Sequence, residues 1–240
     1  MNIAKRHTIL NVHFDALTAG ETLEILLQFL QTDRNHLIVT PNPEAVMLAG
    51  QNEGFLHILQ QADLVLPDGI GIIIAARLRK IPIYTRVTGC DITMNLLAQS
   101  KGSTIYLLGA APSIADVARQ NLINQGVNVV GAHDGYFNED EEILAEIQSL
   151  NPDILIIGMG MPRQEEWAAR HLHTLPCKIT LCVGGTIDIL AGNVQRAPIF
   201  MRKTGLEWLY RLATNPSRAK RMLNLPRFIW ASLSSPKHSF

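Results

Sequence analysis

The chain has 240 residues, 47% hydrophobic and 18% charged, which excludes a disordered or fibrous polypeptide and leaves one large or two small domains around a sizeable core. Its zero net charge hides an asymmetry. Residues 196–240 carry nine Lys/Arg against one acid, Glu207, for +8, while the first 195 residues carry 12 bases against 20 acids, for −8. A tail this basic points to an anionic partner: phosphate, lipid headgroups or nucleic acid.

Cys90, Cys177 and Cys182 are odd in number, scattered and without a CxxC spacing, which fits reduced cytosolic thiols better than a disulfide framework. Lys5, Arg6 and His7 are followed by no adequate apolar run, so no signal peptide is expected. No uncharged apolar run approaches the roughly 18 residues of a spanning helix, so a soluble protein or one lying on a membrane is expected.

Residues 7–14 (HTILNVHF) read as one or two short strands. Thr18 and Glu21 then have the spacing of a capping box, opening a helix with Leu23, Leu26, Leu27 and Leu30 on one face. Residues 36–40 (HLIVT) form a strand ending in TPNPE, where Pro43 suits the first turn of the next helix. Asn42 caps that helix or, with Thr40, lines a site at the strand's carboxyl end.

The stretch ADLVLPDGIGIIIAARL (62–78) organises the reading. A buried strand over 64–66 meets a turn at Pro67, Asp68 and Gly69, and a helix begins near Gly71. Asp68 then sits where open α/β sheets place their ligands. It either caps the following helix or acts as a carboxylate in catalysis. In RVTGCD (86–91), Thr88 and Asp91 again have capping-box spacing, and Arg86 pairs with a surface acid or binds a phosphate through its planar fork.

From Ser103 strands and helices alternate. Strands over 104–108, 127–132, 153–157 and 179–183 run into the loops GAAPS (109–113), HDGYF (133–137), GMGMPRQ (158–164) and GGTID (184–188). This is the pattern of a Rossmann-like, doubly wound, mostly parallel α/β sheet. Its small-residue turns, with Gln164, Gly184, Gly185 and Asp188 among them, lie on one sheet edge and make a nucleotide cradle. Gly158 and Gly160 lack the third glycine of a dinucleotide fingerprint, which weakens a nicotinamide reading.

Other chemistry is weakly signalled. There is no DxD, no HExxH, no cysteine ligand set and no GxSxG elbow. His171 and His173, two apart, read as part of a solvated helical face, and the acidic run NEDEE (138–142) as a helix start without chemistry. The tail reads as short helices beginning near Pro198, Gly205, Asn215 and Pro226. Arg218 and Arg221 share a face, and Trp208, Tyr210, Phe228 and Trp230 interleave with the cations. That mixture suits a membrane-surface element or a helical hairpin packed on the core; nucleic acid is not expected, since no recognition signature accompanies the charge.

VTPNPE (39–44), LPDGIG (66–71), RVTGCD (86–91), DGYF (134–137), GMPRQE (160–165), GGTIDILAGNVQRAP (184–198) and GLEWLYRL (205–212) together resemble the bacterial WecG/TagA/CpsF glycosyltransferase family, in order and over nearly the whole chain. The resemblance implies inverting, metal-independent transfer without a cofactor. N-acetylmannosamine would move from a UDP-sugar donor to the 4-OH of undecaprenyl-diphosphate-linked GlcNAc, in cell-wall, teichoic-acid or surface-polysaccharide synthesis. It further implies a peripheral protein on the inner face of the plasma membrane. Asp68 corresponds to the family's general base, Thr40, Arg86 and Gln164 to pocket residues, and Arg211, Arg218 and Arg221 to appendage arginines over the diphosphate.

The expected parts are 1–100, an N-terminal α/β part with the catalytic Asp; 101–195, a Rossmann-like nucleotide-sugar part; and 196–240, a basic helical appendage. Donors carrying a mannosamine uronate or glucose stay open, as do a nicotinamide-dependent oxidoreductase, a non-catalytic nucleotide- or lipid-binding module, and the oligomeric state, a homo-oligomer included.

Overall fold

The computed structural model describes residues 5–214 and 224–235. A hairpin opens it: β1 (Arg6–Ile9) pairs antiparallel with β2 (Val12–Asp15). Leu10 and Asn11 between them have φ of 49° and 68°, the left-handed two-residue turn whose twist matches a hairpin.

Among the described residues, six parallel strands form the central sheet: β3 (His36–Val39), β4 (Leu64–Val65), β5 (Ile105–Gly109), β6 (Val129–His133), β7 (Ile154–Gly158) and β8 (Ile179–Cys182). They lie in the order β4-β3-β8-β7-β5-β6. Strands from residues 1–100 and from 101–195 share this one sheet, because β3 pairs with β8 from His36 opposite Ile179 to Val39 opposite Cys182.

Side chains alternate between two cores, as the period of a strand requires. Ile38, Leu107, Ile156 and Leu181 face one layer; Leu37, Val39, Leu108, Ile157 and Cys182 face the other. The first layer is covered by α1 (Ala19–Phe29), α5 (Gly89–Gln99), α6 (Ile114–Asn124) and α9 (Thr186–Leu190). The second is covered by α2 (Pro43–Ala49), α3 (Glu53–Gln61), α4 (Ile70–Arg79), α7 (Glu141–Leu150) and α8 (Arg163–His171). Apolar helices on both faces are what lets strands such as ILIIG be buried on both sides.

The doubly wound sheet expected from the alternation is present. The chain leaves β5 through α6 towards β6, and leaves the adjacent β7 through α8 towards β8. The loops therefore part between β5 and β7, the kind of crevice in which α/β proteins bind ligands.

The tail continues with α10 (Ile199–Lys203), α11 (Glu207–Thr214) and α12 (Asn224–Ser234). The helix expected near Asn215, with Arg218 and Arg221, lies outside the described residues. α12 packs on α2 and α4: Phe228 and Ser232 are fully buried, and Arg79 donates to the Ser232 carbonyl at 2.7 Å. No helix among the described residues is long and apolar enough to cross a membrane.

The solvated-face reading of His171 is corrected by the fold. His171 is only partly exposed, lies against Trp167, and meets the Asp140 carboxylate at 2.8 Å. Asp140, in the acidic run, also accepts from Trp167 Nε1 at 3.0 Å and Arg170 at 3.1 Å. The acid thus ties α7 to α8, a long-range pairing invisible in local spacing. His173 is exposed and lies beyond the end of α8.

Candidate active site

All six strands point their carboxyl ends the same way, so the loops holding Thr40, Asp68, Gly158 and Gly184 share one edge. The strand ends approach closely there: a Cβ added to Gly158 would lie 2.6 Å from the Gly184 carbonyl oxygen. Only glycine allows β7 and β8 to end this close.

Asp68 follows β4 and is partly exposed. Its backbone N–H donates to the Pro41 carbonyl at 3.3 Å, tying the β4 turn to the β3 turn. It is not the cap of α4; Gly69, with φ of 95°, takes that position without a side-chain bond. The carboxylate instead faces the first turn of α5, where Gly89 N–H points to Oδ2 over a long 3.4 Å. Positive potential at a helix amino terminus favours an ionised carboxylate.

Thr40 lies beside the same amide. Its hydroxyl donates to the Cys182 carbonyl at 3.1 Å, and a Cβ added to Gly89 would meet Thr40 Oγ1 at 3.1 Å. Thr40, Asp68 and Gly89 therefore converge at the ends of β3, β4 and β8. Asn42 has the capping role: its Oδ1 accepts from Ala45 N at 3.0 Å.

Arg86 reaches the appendage. It meets Glu207 of α11 at 3.3 Å, donates to the Arg202 carbonyl at 3.2 Å, and lines a cleft of about 480 Å³ with Ile70, Ile73, Tyr84 and Ile199. Next to it, Asp91 accepts from Thr88 at 2.7 Å and from Arg196 at 2.5 Å, with Arg202 at 3.6 Å. Burial alone would raise the Asp91 carboxyl, but Thr88 and Arg196 outweigh it and hold the group below the usual carboxylate range. Two cations of the basic tail are thus matched by an acid of the core.

Gln164 is buried in the first turn of α8, with both ends of its amide engaged. Nε2 donates to Glu165 at 2.7 Å, and Oε1 accepts from Gly184 N at 3.0 Å. Gly185 is exposed beyond it, and Asp188 holds the following loop through Asn193 at 3.3 Å. Glu165, which the sequence reading passed over, is 5% exposed, and burial pushes its carboxyl up to about 7. Its signal was its place beside Gln164 in GMPRQE. Arg211 lies on α11 with its side chain outside the description, and Arg218 and Arg221 lie outside the described residues. The structure thus gathers Thr40 and Asp68 closely and arranges Gln164, Gly184, Gly185 and Asp188 along the same edge.

The Glycosyl transferase WecG/TagA/CpsF family model matches residues 7–239. A Bacillus spizizenii (strain W23) protein is 34% identical over 215 residues, covering 88% of this chain and 84% of the relative. A Staphylococcus aureus (strain MRSA252) protein is 33% identical over 228 residues, covering 92% of this chain and 90% of the relative. Both relatives carry the name N-acetylglucosaminyldiphosphoundecaprenol N-acetyl-beta-D-mannosaminyltransferase.

Proposed function

Because this chain belongs to the WecG/TagA/CpsF glycosyltransferase family, we propose that it transfers N-acetylmannosamine from UDP-N-acetylmannosamine to the 4-OH of undecaprenyl-diphosphate-linked GlcNAc, with inversion. The observation that carries the chemistry is Asp68, a partly exposed carboxylate at a strand's carboxyl end beside Thr40 and the α5 amino terminus. The relatives' names supply the acceptor and the transferred sugar; the UDP carrier, the 4-OH and inversion are this proposal's own.

In a single displacement one carboxylate takes the acceptor hydroxyl's proton as that oxygen attacks the anomeric carbon. Asp68 is assigned this role. The departing UDP gains charge that preorganised donors must meet. The 184–185 turn lies along the edge for this purpose, and Arg86 supplies a guanidinium once the diphosphate replaces Glu207 as its partner. Arg211, Arg218 and Arg221 are assigned to close over the same diphosphate. The reaction is proposed as metal-independent, and the protein as peripheral on the cytoplasmic membrane face, held by its basic appendage.

The test is UDP release with a short-chain lipid-diphosphate GlcNAc acceptor, offering UDP-N-acetylmannosamine, its uronate and UDP-glucose in turn. Release is expected with the first donor, only when acceptor is present, and undiminished by EDTA. Acceptor-independent release, preference for another donor, or strict dependence on added Mg²⁺ would overturn the corresponding part of the proposal.

A further inference from the structure

The Gln164 amide is held at both ends, by the Gly184 N–H at its oxygen and by Glu165 at its nitrogen. An ionised carboxylate accepts hydrogen bonds and donates none, so the NH₂ of Gln164 must turn towards Glu165, at 2.7 Å. The amide oxygen is then left facing the Gly184 N–H, at 3.0 Å. Gly184 has φ of 54° and opens the turn after β8, two residues past the strand end whose Cys182 carbonyl Thr40 holds. Glu165 has a cost that packing does not explain, because its Oε2 is buried with no hydrogen-bond partner. An apolar side chain of this length would fill the same space without that penalty, but would leave the Gln164 NH₂ unpaired and the amide held by Gly184 alone.

We propose that Glu165 is a positioning residue that acts through Gln164, locking the 184–185 turn in the conformation that receives the donor. The inference rests on the reading of this edge as a UDP-sugar site. Glu165 does not touch the reacting atoms; it anchors the nitrogen end of the buried amide whose oxygen holds the turn.

The lock has a pH signature. Burial raises the Glu165 carboxyl to about 7, so it ionises only as pH climbs through neutrality. Once protonated, it is a neutral and weaker acceptor for Gln164 Nε2, and the amide is held less firmly against the Gly184 N–H. The groups acting on the carboxyl from α8 itself are Gln164, the Glu165 backbone N–H and Glu166. From β8 the Cys182 thiol faces it and stays neutral, since burial holds it well above the ordinary range. The turn should therefore be fixed at about pH 8 and looser at about pH 6.

Two measurements on the full chain test this. The Gly184 amide resonance in ¹⁵N-labelled protein should titrate near neutrality in wild type and stay flat in Glu165→Gln, which keeps an acceptor without a titrating proton. Calorimetric affinity for UDP-N-acetylmannosamine, whose diphosphate diester does not titrate in this window, should weaken severalfold from about pH 8 to about pH 6 in wild type only. Glu165→Met, with no acceptor for Gln164, should bind the donor roughly tenfold more weakly at the higher pH and raise KM more than it lowers kcat. A Gly184 resonance indifferent to pH in the wild type, or a folded Glu165→Met with wild-type affinity, would overturn the proposal. A wild type that binds no donor while Gly184 still titrates would sink the transferase reading and leave the amide lock standing.

Discussion

Asp68 shows how a residue's role depends on partners distant in sequence. Between Pro67 and Gly69 the sequence places a carboxylate at a strand end, where capping of α4 and catalysis compete. Gly69 takes the capping position, and the carboxylate turns to Gly89, twenty-one residues on. That pairing depends on α5 meeting the β4 turn, which no local spacing encodes. Gln164 was legible as a candidate for the site, whereas Glu165 was not, because its raised carboxyl arises from burial, a tertiary property. At this scale Asp68→Asn is expected to keep the fold and donor binding while lowering turnover by roughly 10²–10⁴-fold, the usual worth of a positioned base. The measurement is steady-state UDP release beside donor calorimetry; turnover close to wild type would remove Asp68 from the base role.

Elements were legible wherever a local signal exists. The Thr18/Glu21 capping box, the Asn42 and Thr88 caps, and the alternation of apolar strands with helices all appear where the sequence places them. Strand order was not legible, because HLIV, ILIIG and ITLC are all continuous apolar runs, interchangeable as buried parallel strands. Also hidden was the device that protects the sheet's edge. β4 is a two-residue edge strand, and its Val65 N–H is met by Asp15 Oδ2 of the hairpin at 2.8 Å. Arg6 holds that same carboxylate at 3.0 Å and reaches the carbonyls of Ala62 and Asp63 at 2.8 and 2.9 Å. One buried acid thereby fixes the hairpin to the strand that carries Asp68. Asp15→Ala is expected to cost about 2–4 kcal/mol in urea unfolding, because it strands the Val65 amide and one side of Arg6. The two remaining carbonyls on Arg6 keep the cost from being larger. A loss under about 0.5 kcal/mol, the range of an ordinary surface change, would show that the hairpin is held by its apolar side chains alone.

Over the whole molecule, the charge asymmetry visible in the sequence divides into two kinds of cation. Arg196 and Arg202 are matched by Asp91, so part of the basic tail is spent internally, fastening the appendage to the α5 end of the core. Arg227 is exposed on α12 beside Trp230, which is 73% exposed, while Phe228 on the opposite side is fully buried. The sequence offered a membrane-surface element or a hairpin packed on the core as alternatives. α12 packs on the core, and its outward side still presents an aromatic, an aliphatic and a cation: Trp230, Leu233 and Arg227. Membrane binding and core packing are therefore separable by substitution, as truncation would not allow, since deletion also uncovers α2 and α4. Phe228→Ala should lower stability by about 3–5 kcal/mol through the cavity it leaves. Trp230→Ala should leave the melting temperature nearly unchanged but weaken co-sedimentation with anionic vesicles, because an interfacial ring is lost. Arg211→Lys should keep vesicle binding, where charge alone counts at about 1 kcal/mol per cation, and reduce UDP release, where the planar fork matters. Vesicle binding, melting and turnover measured on all three variants separate anchor, core and site. If Trp230→Ala bound vesicles as tightly as wild type, the exposed side of α12 would not be the membrane face, and the segment's contribution would be to the core alone.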